Sequence, residues 1–210
     1  NVLIMKKIFI YISVFIAVVA VCSTTATAQE GVRMRLGYNT GMPVGSFRDF
    51  MGKNSFRGYN GEISFPLNEQ LRIGLGVQSN DYYEKFPRAV YDTKDGMVSA
   101  VVTNSILTTP ILVKANYDLN KKSVVRPYVG LGAGFNLITY RHYLGEFAEN
   151  KSAFKPAVSA EAGVNIPFNK NTRAAGINAG AHFNYMPFNY KGINNLNSWG
   201  LHLGLYFPLG

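Results

Sequence analysis

The chain has 210 residues with a formal net charge of +9, room for a leader and one further domain. Hydrophobic residues make up 47% and charged ones 16%, with 21 Gly, 13 Tyr and 14 Phe, a balance that excludes a disordered chain, a collagen and a coiled coil. What remains is a glycine- and aromatic-rich β protein. Basic residues are scattered, Lys121 and Lys122 forming the one adjacent pair beyond the leader, so the clustered patch of a nucleic-acid binder is missing.

Met5 is followed by Lys6 and Lys7, an apolar run from Ile8 to Val21 broken by Ser13, and Ala26-Thr27-Ala28 before Gln29. A charged start, a short apolar core and small residues at minus three and minus one predict a cleavable secretory signal over residues 5–28 and a domain over 29–210. Residues 1–4 precede the expected initiator. A retained membrane helix is the competing reading, but the run is shorter than the roughly 20 residues a bilayer needs. Cys22 could be a lipoprotein acceptor only behind a small residue, and Val21 stands there. Once the leader is gone, neither disulfide nor thiolate metal site is expected.

From Val32 on the pattern has period two, the signature of strands with unlike faces. In chain order the apolar faces are Val32, Met34, Leu36, Tyr38; then Tyr59, Gly61, Ile63, Phe65; then Leu71, Ile73, Leu75, Val77; then Ile111, Val113, Ala115, Tyr117, Leu119. The second half continues with Val129 to Leu137, Val158 to Ile166, Ala175 to Phe183 and Trp199 to Phe207, each on alternate residues. No amphipathic helix competes. Links near 68–70, 120–123 and 169–172 are tight and polar, whereas those at 42–56, 80–100, 140–155 and 186–197 are long. Short turns at one end and long loops at the other predict an all-β, eight-stranded antiparallel up-and-down transmembrane β-barrel, monomeric, with both termini periplasmic.

Alternation alone does not say which face is inside. A small soluble barrel would clothe its polar face in charge, yet that face is rich in glycine and carries only Arg33, Arg35, Glu62, Arg72, Lys114, Asp118 and Glu161. It suits a bore better than a solvent surface: eight strands leave an interior that side chains just fill, and mixed signs allow pairing there. Tyr38, Tyr59, Phe65, Tyr117, Phe135, Phe168, Phe183, Tyr185, Trp199 and Phe207 fall near strand ends, where membrane barrels carry aromatic girdles. Pro110 is expected at the outer rim, where a bulge is tolerated.

The leader, the eight segments, the stretches ILTTPILVKANYDL (106–119) and VRPYVGLGAGF (125–135) and the closing strand resemble the small outer-membrane β-barrel domains of the OmpA/OmpX-like and porin-family type. The resemblance implies outer-membrane lipid and the barrel assembly machinery as partners. It also implies an assembly signal at His202, Gly204, Phe207 and Leu209, although the chain closes on Pro208-Leu209-Gly210 where the family has a terminal Phe.

Gly130, Gly132 and Gly134 share one strand face with no helix after them, so they are packing glycines and not a phosphate loop. His182 and His202 face the bore; with Glu161 they could ligate a metal, but hydrogen bonding within a polar lumen is the commoner role, and no metal or cofactor is expected. His142 and Ser152 are the available pair for a lipid-modifying enzyme, with no spacing that singles them out. Tyr82, Tyr83, Arg88, Tyr91 and Tyr190 lie in long loops and suit contact with an extracellular protein or glycan. Three functions remain open: a non-enzymatic surface or envelope protein acting through its loops, a narrow channel or apolar-ligand conduit, and a lipid-modifying enzyme.

Overall fold

The computed structural model describes residues 31–93, 96–120, 123–144, 147–169, 175–190 and 193–209. The leader at 5–28 with Cys22, the Lys121-Lys122 pair and most of the third tight turn lie outside the described residues. Strands β1 (Val32–Pro43), β2 (Ser55–Pro66), β3 (Leu71–Lys85), β6 (Val102–Asp118), β7 (Arg126–Leu144), β8 (Phe147–Pro167), β9 (Gly176–Tyr185) and β12 (Ser198–Leu209) close into one barrel in the order β1-β12-β9-β8-β7-β6-β3-β2. All neighbours are antiparallel, and β1 pairs with β12 from Val32 opposite Leu209 to Pro43 opposite Ser198. Closure gives every spanning strand two partners, the condition for backbone in hydrocarbon.

The faces are oriented as the charge argument requires. Leu203 and Leu131 are 60% and 66% exposed, whereas Arg35, Glu62 and Arg72 are at 9% or below. Apolar side chains point outward and the charged ones into the bore. Phe65, Tyr117, Phe168 and Phe207 mark the periplasmic end of the outward face, and Tyr38, Tyr59, Phe135, Phe183 and Trp199 the other. Eight residues separate Trp199 from Phe207 on β12, about 26 Å of strand or about 20 Å of height at a tilt near 40°. That matches a hydrocarbon band. Pro110 sits opposite Asn136 inside an unbroken β6–β7 ladder, beside the exterior-belt pair of Ile111 and Phe135, and needs no bulge there. Its missing N–H falls on the β3 side, where pairing lapses between Val77 opposite Ile111 and Asn80 opposite Thr108 while the register holds.

The long connections are more structured than their composition suggests. Strands β6, β7 and β8 run for 17, 19 and 21 residues, about twice the length of β9, so one wall rises well beyond the membrane. The 140–155 segment is a continuation of β7 and β8, paired up to Leu144 opposite Phe147. Within 80–100, β3 continues to Lys85 and a small hairpin follows, β4 (Ala89–Thr93) with β5 (Gly96–Ala100). The first connection holds a helix of five residues, α1 (Ser46–Phe50), entered through Gly45 at φ 60, a backbone region glycine adopts without penalty. One helical turn is too short to leave a periodic trace in sequence. The last connection forms β10 (Pro187–Tyr190) and β11 (Ile193–Asn195).

Leu203 is four residues from each aromatic belt on its strand, so Leu203→Arg sets a charge in mid-membrane and is expected to destabilise the barrel by about 2–4 kcal/mol. The same arginine at Thr103, above the belts on β6, should cost less than about 0.5 kcal/mol. Urea unfolding in phospholipid vesicles measures both.

Candidate functional site

The bore is crossed at mid-height by two cations and two carboxylates. Arg35 (β1) donates from Nη2 to Glu62 Oε1 (β2) at 2.7 Å and from Nη1 to Glu161 Oε1 (β8) at 3.4 Å. Lys114 (β6) places Nζ 2.9 Å from Glu62 Oε2 and also bonds Glu161 Oε2. Asn116 Nδ2 adds a bond of 2.6 Å to Glu62, and the Arg35 guanidinium lies 4.9 Å from the Tyr128 ring centre. Arg35 and Glu62 are direct cross-strand neighbours, but Lys114 is two strands from Glu62 and two from Glu161 around the barrel. The intervening strands make way with glycine. A Cβ on Gly76 would stand 2.6 Å from Lys114 Cδ, and one on Gly130 would stand 2.8 Å from Glu161 Cγ. Equal numbers of opposite charges, held by hydrogen bonds, meet the requirement for charge taken out of water.

Next to this network the His182 and His202 rings stack at 5.9 Å. His182 Nε2 is 2.5 Å from Gln78 Nε2 and His202 Nε2 is 3.0 Å from Tyr128 Oη, while Asn178 Nδ2 bonds both Tyr128 Oη and Asn165 Oδ1. Both imidazoles are held by hydrogen bonds within the bore, and among the described residues no group of three His, Cys, Asp or Glu is arranged to hold a metal. A void of about 20 Å³ beside Arg35, Glu62, Lys114, Glu161 and the histidines has room for little more than a water molecule.

A second charged layer lies toward the periplasm. Arg72 donates from Nε to Ser64 Oγ at 3.3 Å and from Nη2 to the Ser64 and Gly31 carbonyls, both at 3.1 Å. Arg33 lies 5.0 Å from the Tyr206 ring centre, and Asp118 is buried at the same end. Arg126, buried here as well, escaped the sequence reading because it precedes Pro127 at the very start of β7. Of the expected assembly residues, His202 points into the bore, Gly204 stands opposite Gly37, and Phe207 and Leu209 stand opposite Met34 and Val32.

Toward the exterior the filling becomes amide and then apolar. Asn39 Nδ2 donates to Asn80 Oδ1 at 3.0 Å, with Asn136 and Asn184 buried in the same region. Above them Phe47 and Met51 from the first connection and Met186, Phe188, Ile193 and Leu196 from the last pack with Tyr82, Ile106, Ile138 and Tyr140 of the wall. These two connections fold into the mouth. The expectation that Tyr82 is an exterior contact is therefore corrected: it is 0% exposed, edge-on to Phe47 at 4.7 Å. Because β3 continues past residue 80, the inward parity of Arg72, Gly74 and Gly76 carries on to Tyr82.

Tyr83, of opposite parity, is exposed, and the Arg57 guanidinium lies 5.2 Å from its ring centre. Arg88 is exposed between β3 and β4. Tyr91 lies on β4 and Tyr190 ends β10; their side chains are outside the described set. His142 bonds Asn104 Oδ1 at 2.6 Å and stacks near Tyr140 on the bore side. Ser152 pairs with Thr139, three positions away from His142 on β7. An odd offset puts the two on opposite faces of the wall, so they form no His–Ser pair.

The family model for the outer membrane protein beta-barrel domain matches residues 13–207. Among solved structures, Neisserial surface protein A is similar at 17% identity and a TM-score of 0.50, covering 85% of this chain and 96% of that one. The attachment invasion locus protein Ail of Yersinia pestis follows at 13% identity and 0.46, covering 84% and 97%. The N-terminal β-barrel domain of Pseudomonas aeruginosa OprF stands at 15% and 0.44, again covering 84% and 97%. No curated protein matches at the sequence level.

Lys114→Met would leave Glu62 and Glu161 sharing one cation, and the expected loss is about 3–5 kcal/mol. Adding Glu161→Gln restores one charge to one charge and should recover more than half of it. Urea midpoints of the single and double variants in vesicles give the comparison.

Proposed function

Because the chain belongs to the outer membrane protein beta-barrel domain family, we propose that this bacterial outer-membrane barrel is a non-enzymatic surface protein that presents its exterior wall and loops to extracellular protein or glycan ligands. The observation that carries the reading is the contrast between bore and wall. The bore is filled by the Arg35, Glu62, Lys114 and Glu161 network, by buried amides and by the apolar cap, which is poor architecture for conduction. The strands above the membrane form a sheet carrying exposed Tyr83, Arg141, Phe154 and Lys155, a mixture suited to adaptable contact. The protein acts as a monomer delivered by the barrel assembly machinery. The enzyme reading loses its one candidate pair, since His142 and Ser152 face opposite sides.

Whole cells displaying the chain are expected to adhere to a panel of immobilised extracellular-matrix proteins and sulfated glycans at least five-fold better than cells displaying a variant with the β4–β5 hairpin and the β7–β8 tip shortened, both variants remaining heat-modifiable on detergent gels. Planar bilayers containing the intact protein should show no reproducible opening. Equal adhesion by the trimmed variant, or a steady unitary conductance, contradicts the proposal.

A further inference from the structure

The periplasmic end of the bore holds a guanidinium that the barrel itself does not satisfy. Arg126 opens β7 with its side chain on the bore face, in the parity of Tyr128, and is 7% exposed. Its Nε has no hydrogen-bond partner, and no ion pair among the described residues involves it. Tyr206 is 2% exposed, and its hydroxyl is likewise without a hydrogen-bond partner. The two belong to one layer of the bore. Arg126 stands opposite Asn165 on β8, Asn165 opposite Asn178 on β9, and Tyr206 of β12 opposite Gly176 of β9. A Cβ on Gly176 would stand 2.6 Å from Tyr206 Oη, so the phenol reaches over β9 through the space that this glycine leaves. Arg33 lies against the same ring, and Arg33, Arg126 and Asp118 are all near enough to act electrostatically on its hydroxyl. Neighbouring amides are already engaged, Asn178 Nδ2 being shared between Asn165 Oδ1 and Tyr128 Oη.

We propose that this end of the bore is an anion site, in which Arg126 and the Tyr206 hydroxyl bind one phosphate group arriving from the periplasm. A buried charge without a counter-charge bears its desolvation cost uncompensated. Among the described residues of this layer Asp118 is the one carboxylate, against Arg33, Arg72 and Arg126, so what the layer lacks is negative charge. Phosphate brings that charge with several acceptor oxygens: two can take the planar fork of a guanidinium, and another is left for the phenol O–H. A carboxylate fills the fork but leaves the phenol unserved and neutralises less of the excess. Access comes from the periplasmic turn, since Ser123, Val124 and Val125, directly before Arg126, are exposed. Two sources carry this chemistry to the lip of the bore, the phosphodiester headgroup of a periplasmic-leaflet lipid and free phosphate. The site lies at the opposite end of the barrel from the recognition surface and does not depend on that reading.

The test uses the full barrel, labelled with [15N]arginine, in dodecyl maltoside micelles, which carry no phosphate. The Nε–H resonance of Arg126, assigned by its loss in Arg126→Met, should shift saturably on addition of inorganic phosphate or of dihexanoylphosphatidylglycerol, at least ten-fold more tightly than on addition of acetate at the same ionic strength. A response to the lipid alone identifies the leaflet as the source, and a response to inorganic phosphate identifies the soluble anion; either supports the site. Tyr206→Phe should weaken the binding at least five-fold while heat-modifiability is unchanged. Because ligand that binds only the folded state stabilises it, the bound anion should raise the urea midpoint of the native chain and leave that of Arg126→Met where it was. Without the anion, Arg126→Met should be no less stable than the native chain, since it removes a cation that has no partner. No shift with either phosphate, an equal response to acetate, equal stabilisation of Arg126→Met, or failure of that variant to fold each overturns the proposal, the last because it would show the guanidinium satisfied from within the barrel.

Discussion

A backbone inside hydrocarbon has no water to bond, so each N–H and C=O of a spanning strand must find its partner in protein. Pairing β1 with β12 removes the last open edge of the spanning sheet, and much else in the molecule follows from that closure. Once the sheet is a cylinder, alternate side chains are committed either to lipid or to a bore too narrow for an open column of water. Leucine, valine and aromatic residues take the first environment. Arginine, lysine, glutamate and asparagine take the second, and there they must satisfy one another.

The filling of the bore is a solution to that second requirement. Long side chains from β1, β2, β6 and β8 meet at its centre because glycines on β3 and β7 withdraw from it. Removing a cation would leave buried carboxylates without compensation, a larger penalty than the modest net gain of forming the pairs. At the exterior end the same narrow space is closed by apolar packing. Loop segments that would otherwise lie in water bury Phe47, Met51, Phe188 and Leu196 against the wall. The interior is thus filled from centre to mouth, and on the outer surface the uneven strand lengths raise one wall above the rest.

What could be read from the sequence follows the reach of the interactions. Strand period, outward faces, the two aromatic belts and the charged residues of the bore other than Arg126 were legible, because each depends on local alternation in a two-sided environment. The partners of those charges were not, since Lys114 reaches Glu62 only through the barrel order and the glycine on the strand between. Tyr82 was misplaced for a related reason: polar composition near 80–95 suggests a loop, while the strand and its parity persist to Lys85. The helix Ser46–Phe50 and the inward fold of the last connection left no periodic signal, being short segments fixed by the apolar mouth they fill.

The central claim is the orientation of the cylinder, and the single tryptophan reports on it directly. Trp199 lies on the outward face of β12 at the exterior belt, 43% exposed. In vesicles its emission is predicted to be quenched by lipids brominated near the headgroup more than by lipids brominated at the chain end, and to be shielded from aqueous iodide. Quenching by iodide at the rate of free indole, with no effect of brominated lipid, would place that face in water and contradict the account.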